Sequence, residues 1–445
     1  MKARSGFLLG RLAPPSLGAR RFALPFVVPL VFVLLHLTVA TPPTVWRDTT
    51  RYARAAEQHL GIDRATAQHD VVALLCAAQA DVAAREARLS PVPPDPGTVR
   101  GTQEQECLQR YAGARDITTD DHRYQSIFAS RWGYPWLLAP FVGVFGLGAG
   151  LRACALLIAA ACVLLVYPVL RAAGAGRRAP VAGQVALAAS PLGWWAVQPL
   201  TEGPVLACVL GALWGVVRLV RGQGARATSA AVIGLALGGC FLLRYSSALL
   251  LAGALAVAAA ATAVRRRRRR ATGTAGTTET TGTAGAWHAA AVTGAAAVAM
   301  AAAIAVLRLP TAEITLQDTF TVHFRRPPVP DPWARLWDLN VELWRHWWGE
   351  QAARPYFLAL TALASWALLR RAPSLAVPAA ACALVGVAQV AGHPLLSEAD
   401  RLGALMWLPV VLGLPLLPAA WAARATPSQV PVQEQRSASA PLSVR

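Results

Sequence analysis

Charge is scarce in this chain, and its scarcity argues against a soluble fold. Only 15% of the 445 residues are Asp, Glu, Lys or Arg, where a soluble protein carries about a quarter. Acid is scarcer still, with 23 Asp and Glu against 42 Lys and Arg. The seven cysteines contain no CxxC and no His/Cys ligand spacing, so the usual zinc and dithiol patterns are missing. No P-loop, Walker or GxGxxG pattern occurs in a strand–turn–helix setting. Nothing therefore supports ATP or a dinucleotide as a ligand.

Apolar residues fill the space. They make up 55% of the chain, in runs of about 17 to 20, the length that crosses hydrocarbon. The expectation is an all-α, polytopic membrane protein. The net charge of +19 comes mostly from Arg. These cations cluster between apolar runs, so membrane orientation explains them before nucleic-acid binding does. No nucleic-acid partner is expected. The block Arg265–Arg270 resembles a nucleic-acid patch in isolation. Beside a span it reads as a cytoplasmic end touching anionic membrane lipid.

Five cysteines (Cys154, Cys162, Cys208, Cys240 and Cys382) fall in apolar runs and read as small core residues. Cys76 and Cys107 lie in a long first loop. If that loop is outside, they either pair as one disulfide or stay free.

The basic segment 1–21 precedes an apolar run at 22–40. It has the look of a signal peptide, but the run is long and no clear cleavage site follows, so it is read as a retained span. A loop, 41–131, comes next. The segment 132–147 is short and interrupted by Gly and Pro. Counting it as a span would put Arg171–Arg178 and Arg265–Arg270 outside, against the positive-inside rule. It is read instead as a re-entrant or interfacial hairpin buried by protein. The remaining spans are then 152–170, 180–197, 203–220, 227–244, 246–264, 288–307, 354–371, 375–391 and 402–422. That gives about ten transmembrane helices with a helical extracytoplasmic loop domain and both termini cytoplasmic.

The domain reading follows from this topology. A basic cytoplasmic tail, 1–21, leads into an N-terminal membrane module, 22–264, that holds the loop 41–131. A low-complexity cytoplasmic linker, 265–287, joins it to a C-terminal module, 288–422, with an outer loop 308–353. A polar tail, 423–445, reads as disordered.

Ionisable residues avoid the middles of the spans and gather at outward ends. Asp48 follows the first span. Asp120, Asp121, His122 and Arg123 close the first loop, and Glu202 opens a span. Arg244 sits in a tight turn, and His393, Glu398, Asp400 and Arg401 fill the last outer loop. A proton- or ion-coupled transporter places acids at midspan. A multi-pass transporter or lipid-linked-sugar flippase is therefore the second reading. A carboxylate with a nearby Arg suits a base paired with a phosphate clamp.

The order of these features resembles the GT-C superfamily of polytopic glycosyltransferases, mannosyltransferase- or arabinosyltransferase-like. The resemblance rests on Trp46-Arg47-Asp48-Thr49-Thr50-Arg51-Tyr52, Arg131-Trp132-Gly133-Tyr134-Pro135 and Leu200-Thr201-Glu202-Gly203-Pro204. It also rests on the Gly234–Gly239 span ending at Arg244, and on Ser397-Glu398-Ala399-Asp400-Arg401. The first loop is longer than in many members, and Arg401-Leu402 stands where Arg-Tyr is frequent. The resemblance implies a hexosyl- or pentosyltransferase that takes sugar from a polyprenyl-phosphate donor. The acceptor would be an extracytoplasmic glycan or protein, reached with inversion.

Under that resemblance Asp48 is the general base. An ordinary Asp pKa near ~4 makes it a weak one, acting late in the reaction. The alternative is a helix N-cap. Arg244 and Arg401 hold the donor phosphate, or snorkel to lipid headgroups. Asp120 and Asp121 position the acceptor or bind a divalent cation, or are loop residues. His122 binds phosphate or is a surface His. Glu202 binds sugar hydroxyls, pairs with Arg244, or caps its helix. Tyr134 belongs to the segment that returns to the membrane and is counted with the substrate-binding residues. Trp333, Trp337, Trp344, Trp347 and Trp348 form an interfacial belt or guide the prenyl chain. No other cofactor is expected, and metal use is left open.

Overall fold

The computed structural model describes residues 17–39, 44–92, 94–272 and 279–425, and every regular element among them is helical. Helix α1 (Leu17–Thr38) carries Pro25 and Pro29 and leaves Phe26, Leu30 and Leu34 exposed. Such a face suits lipid rather than water. A helical unit follows: α2 (Arg47–His59), α3 (Arg64–Leu89), α4 (Pro96–Arg110) and α5 (His122–Ala129). Asp63 caps α3 by accepting from the Ala65 and Thr66 amides at 2.9 and 3.1 Å. Asp95 caps α4 by accepting from the Thr98 amide at 2.8 Å, with Pro96 at the first helical position. A disulfide between Cys76 and Cys107 joins α3 to α4. Of the two states the sequence left open for these cysteines, the paired one is present.

Helix α6 (Gly133–Phe145) has 13 residues. At 1.5 Å per residue it reaches about 20 Å, short of the ~30 Å hydrocarbon layer. The chain reverses at Gly146, whose φ of 77° is a conformation that L side chains resist. It then enters α7 (Leu147–Ala172). This is the interrupted segment expected at 132–147.

Helices α8 (Arg178–Ala188) and α9 (Pro191–Ala196) replace the expected span 180–197. Pro191 has no amide to continue the ladder, so the run breaks there. Helix α10 (Glu202–Val220) is followed by α11 (Arg226–Ala271), a 46-residue helix interrupted at Arg244. Arg244 Nη1 reaches Glu202 Oε1 at 3.3 Å, while Arg266 Nη1 donates to the Val220 carbonyl at 2.8 Å. The first contact lies at the start of α10 and the second at its end. The chain therefore turns back at Arg244, and α11 holds the two arms expected at 227–244 and 246–264. Gly215 of α10 faces Ile233 so closely that a Cβ would stand 2.6 Å from its side chain. Small residues permit this approach between membrane helices.

Helix α12 (Glu279–Val306) leads to α13 (Ala312–Phe320) and α14 (Pro332–Ala353). Helix α15 (Tyr356–Arg371) leaves α14 at an 83° bend. Then come α16 (Pro373–Gly392), the short α17 (Leu396–Leu402), α18 (Leu408–Gly413) and α19 (Leu417–Ala425), with 3₁₀ turns either side of α18.

Among the described residues six helices are long and apolar enough to cross a membrane, or seven if the α14–α15 pair is one span. The difference from ten has identifiable causes. Helix α11 enters that tally once, α8 and α9 are each too short, and α1 counts only as a shorter apolar helix, Leu24–Thr38. The expected linker 265–287 is also narrower. The six arginines continue α11, and α12 has begun by Glu279, so only 273–278 lie outside the described residues. Residues 1–16 and 426–445, most of the expected tails, lie outside them too.

Candidate functional site

The first turn of α2 is fixed against the α9–α10 connection. Trp46 Nε1 donates to Gln198 Oε1 at 3.4 Å, and Thr49 Oγ1 donates to the Pro199 carbonyl at 3.1 Å. The Trp46 ring lies 5.6 Å from that of Trp195. These contacts place Asp48, in the first turn of α2, close to Glu202 at the start of α10. The positive end of the helix dipole favours a carboxylate at such a position.

Asp48 meets two cations. Its Oδ2 lies 3.1 Å from Arg401 Nη1, and its Oδ1 lies 3.5 Å from Arg51 Nη1. Arg401 is the hub. It also approaches Glu202 Oε1 at 3.3 Å and Glu398 Oε2 at 2.7 Å. Glu202 in turn holds Arg244 at 3.3 Å. Elements from both membrane modules thus supply one alternating row: Arg51, Asp48, Arg401, Glu202, Arg244.

A second cluster supports the row. Asp116 is buried and accepts from the Thr118 amide at 2.7 Å and from Gln125 Nε2 at 3.1 Å. It pairs with Arg51 at 3.4 Å and with Arg54 at 2.9 Å. The Arg51 guanidinium lies over the rings of Tyr124 and Phe128, at 4.6 and 4.5 Å. One carboxylate of the α4–α5 loop thereby bridges two buried guanidiniums on α2, and this sets the rotation of α2 that presents Asp48.

Asp48 borders a cavity of about 670 Å³. One part is cationic, with Arg47, Arg131, Arg244 and Arg401. Another is apolar, with Leu249 and Leu250 of α11 and Ile304 of α12. Arg131 differs from Arg244 and Arg401. It donates to the Tyr52 hydroxyl at 3.3 Å, and among the described residues no carboxylate is recorded within ion-pair distance of it. His393, Asp318 and His323 also line the cavity. His323 belongs to the run Val322, His323 and Phe324, whose φ values are 53°, 63° and 58°. Three successive left-handed residues, one β-branched, store strain beside the cavity.

Burial by itself would raise the Asp48 carboxyl. The charges of Arg401, Arg51 and Arg131 outweigh it and hold the group below the usual carboxylate range. Asp48 is therefore ionised across the physiological range. Burial, with Arg401 nearby, pushes the His393 imidazole down to about 4. His393 is neutral at pH 7, and its Nδ1 lies 2.9 Å from Thr319 Oγ1.

Asp48, Arg244 and Arg401 are thus brought together, with Glu202 pairing between the two arginines. The other sequence candidates lie elsewhere. Asp120 is exposed and pairs with Arg64 at 2.7 Å. Asp121 caps α5 through the Arg123 amide at 2.8 Å and pairs with the Arg123 side chain at 2.9 Å. Its carboxyl is lowered to about 2, first by the Arg123 hydrogen bond. His122 is exposed. None of the three lines the cavity, because the α4–α5 loop turns Asp116 inward instead. Tyr134 is fully buried beneath α2, edge-on to Tyr52 at 5.2 Å. It belongs to the packing under the site.

Among the described residues no group of three or more His, Cys, Asp or Glu side chains is placed to hold a metal ion. Asp120 and Asp121, for which a divalent cation was one of the readings, each pair with an arginine. Sequence reasoning passed over Asp116, Asp318, His323 and Gln389. Arg131 stood inside a quoted motif but was given no role, although an Arg just before an apolar helix is a readable signal.

Residues 132–280 of the chain match the family model of the dolichyl-phosphate-mannose-protein mannosyltransferases. That stretch is a GT-C superfamily domain. It contains Glu202 and Arg244 but neither Asp48 nor Arg401. No curated protein and no solved structure matches the chain. With its apolar helices, the chain is a multi-pass membrane protein, and the matched stretch, about a third of it, is similar to a membrane glycosyltransferase domain of the GT-C type.

Proposed function

We propose that this GT-C chain moves a sugar from a polyprenyl-phosphate carrier to an acceptor hydroxyl outside the cytoplasm, with inversion. The observation that carries this reading is the composition of one cavity. An ionised Asp48 and four arginines stand at one part, and apolar side chains of two membrane helices stand at another. A prenyl-phosphate sugar needs the same succession of surfaces.

The chemistry follows from the charges. Asp48 takes the proton of the acceptor hydroxyl as its oxygen bonds to the anomeric carbon. The bond from that carbon to the phosphate oxygen breaks, and the electron pair leaves with the polyprenyl phosphate. A carboxylate held below its usual range is a weak base, so proton transfer comes late, when the attacking hydroxyl has become acidic. Arg131 and Arg244 stabilise the departing phosphate by charge-assisted hydrogen bonds. Arg401, with three carboxylates around it, fixes Asp48 rather than holding phosphate. No metal enters this scheme.

The outward end of the membrane is the side assigned to the site, because a lipid-borne donor reaches it by lateral diffusion. Membranes containing the protein, incubated with radiolabelled prenyl-phosphate mannose, glucose and arabinose, test the proposal. Transfer from the mannose donor is expected, with the anomeric configuration reversed in the product. Absence of transfer from every donor, or retention of configuration, overturns it.

A further inference from the structure

A second cavity, of about 610 Å³, lies against the other face of α17. Helix α17 is a partition. Glu398, Arg401 and Leu402 face the first cavity, while Ala399, Asp400 and the adjoining Gly403 line the second. At 100° per residue these sets fall on opposite sides of the helix. The Asp48–Arg401 pair therefore stands beside the wall between two cavities.

The two linings differ in chemistry. The first holds several arginines. The second holds no Arg, Lys or His, and its one charged side chain is Asp400. Its walls are aromatic: Trp194, Trp195, Trp347, Trp407, Tyr356 and Phe357. The rings brace one another. Trp407 lies 4.9 Å from Phe357, and Trp347 lies 6.1 Å from the same ring. Trp195 rests on Trp46, two residues before Asp48. Between the rings stand Ser190, Asp400 and Gln351, whose buried Oε1 has no hydrogen-bond partner.

We infer that this groove binds a neutral saccharide, the acceptor of the transfer. The inference deepens the proposed function and rests on it for the word acceptor. A phosphate-bearing ligand has no cation to meet here. A lipid tail would leave Gln351 Oε1 and the Asp400 carboxylate without partners, at a desolvation cost. A saccharide satisfies both demands. Its C–H faces lie on the indole rings, and its hydroxyls donate to Gln351 Oε1 and Asp400. The groove would hold the body of the acceptor, and its reacting hydroxyl must extend past α17 into the first cavity, where Asp48 stands.

The test uses the full-length protein in detergent, with neutral di- to tetrasaccharides of mannose, glucose and arabinose as probes. Ligand-observed NMR and tryptophan fluorescence report binding. Trp194 is 51% exposed, so Trp194→Ala is compatible with folding, and Gln351→Ala is the second variant. Each is expected to weaken saccharide binding about fivefold, the scale of one lost contact. No saccharide binding, binding indifferent to both substitutions, or equal binding of a Ser/Thr peptide in the groove overturns the inference. Prenyl phosphate binding by the wild type is measured on the same preparation. If it persists while saccharide binding is absent, the groove assignment fails alone. If both are absent, the sugar-transfer reading fails with it.

Discussion

Asp48 and Arg401 are separated by 353 positions in sequence, yet Arg401 Nη1 lies 3.1 Å from Asp48 Oδ2. The pair ties the first turn of α2 to the short helix α17, and so joins distant parts of the chain at the point assigned to chemistry. Replacing Asp48 by Asn keeps the shape and removes the base. Sugar transfer is expected to fall by about 10²–10⁴-fold, with prenyl-phosphate-sugar binding changed far less. Initial rates and a donor titration on the same membranes check this. An unaltered rate in Asp48→Asn would remove the residue from the mechanism.

Arg131 is a cation with spare charge beside two that are paired. Arg244 and Arg401 each hold carboxylates within ion-pair distance, so their fields at an incoming phosphate are partly cancelled. Arg131→Ala is expected to weaken donor binding by about 10–100-fold, the loss of one charge-assisted contact. Arg131→Lys is expected to recover part of it. The check is titration with prenyl phosphate at two salt concentrations. If Arg244→Ala weakens binding strongly and Arg131→Ala does not, the order of the two cations is reversed.

Much of the row was legible because charge is so rare in the chain. In a sequence 15% charged, an acid at the end of an apolar run is conspicuous, and Asp48, Glu202, Arg244 and Arg401 all showed this way. Pairing was not legible. Whether Arg131 is free and Arg401 is saturated depends on where distant helices cross. The choice among Asp116, Asp120 and Asp121 depends on how one loop turns. The break at Ser190–Pro191 was marked by its proline but hidden by the hydropathy around it. The helical course of Arg265–Arg270 follows from the good helix propensity of arginine, which the charge of the block concealed.

Asp116 is the next position to test. Its carboxylate bridges Arg51 and Arg54, both buried. Removing one partner of a buried pair strands the other charge, at about 3–5 kcal/mol. Asp116→Ala is expected to lower the stability of the α2–α5 unit by that order, and Asp116→Asn by less. Thermal unfolding in detergent, with limited proteolysis of the outer unit, gives the measurement. Stability unchanged in Asp116→Ala would contradict the cluster.

Glu57 gives a pH dependence of known sign. Burial first, and then Asp70, raise its carboxyl to about 7, and its Oε2 is buried without a partner. Between its ordinary value and about 7, the folded state binds more protons than the unfolded state. Stability therefore falls as pH rises through that window. The contribution is intact below the ordinary carboxyl pKa and fully lost above about pH 7. Glu57→Gln is expected to raise stability by up to about 3 kcal/mol at pH 8 and to change little at pH 4. Unfolding midpoints of both proteins across this range decide it, and a stabilisation larger at pH 4 than at pH 8 would reverse the sign.

Orientation in the membrane is tested by two fusions. Glu202 and Arg244 meet at one end of α10, while Val220 and Arg266 meet at the other. The six arginines that end α11 therefore stand across the membrane from the Asp48 row. The positive-inside rule favours the cytoplasm for an Arg-rich end, so the row is expected outside, where a lipid-borne sugar is available and a nucleotide sugar is not. A reporter inserted after Asp120 should be active only in an extracytoplasmic assay, and one after Thr272 only in a cytoplasmic assay. Should both reporters lie on the same side, α11 does not fold back at Arg244. Should the two sides be exchanged, the Asp48 row faces the cytoplasm, and a lipid-phosphate donor loses its advantage over a nucleotide sugar.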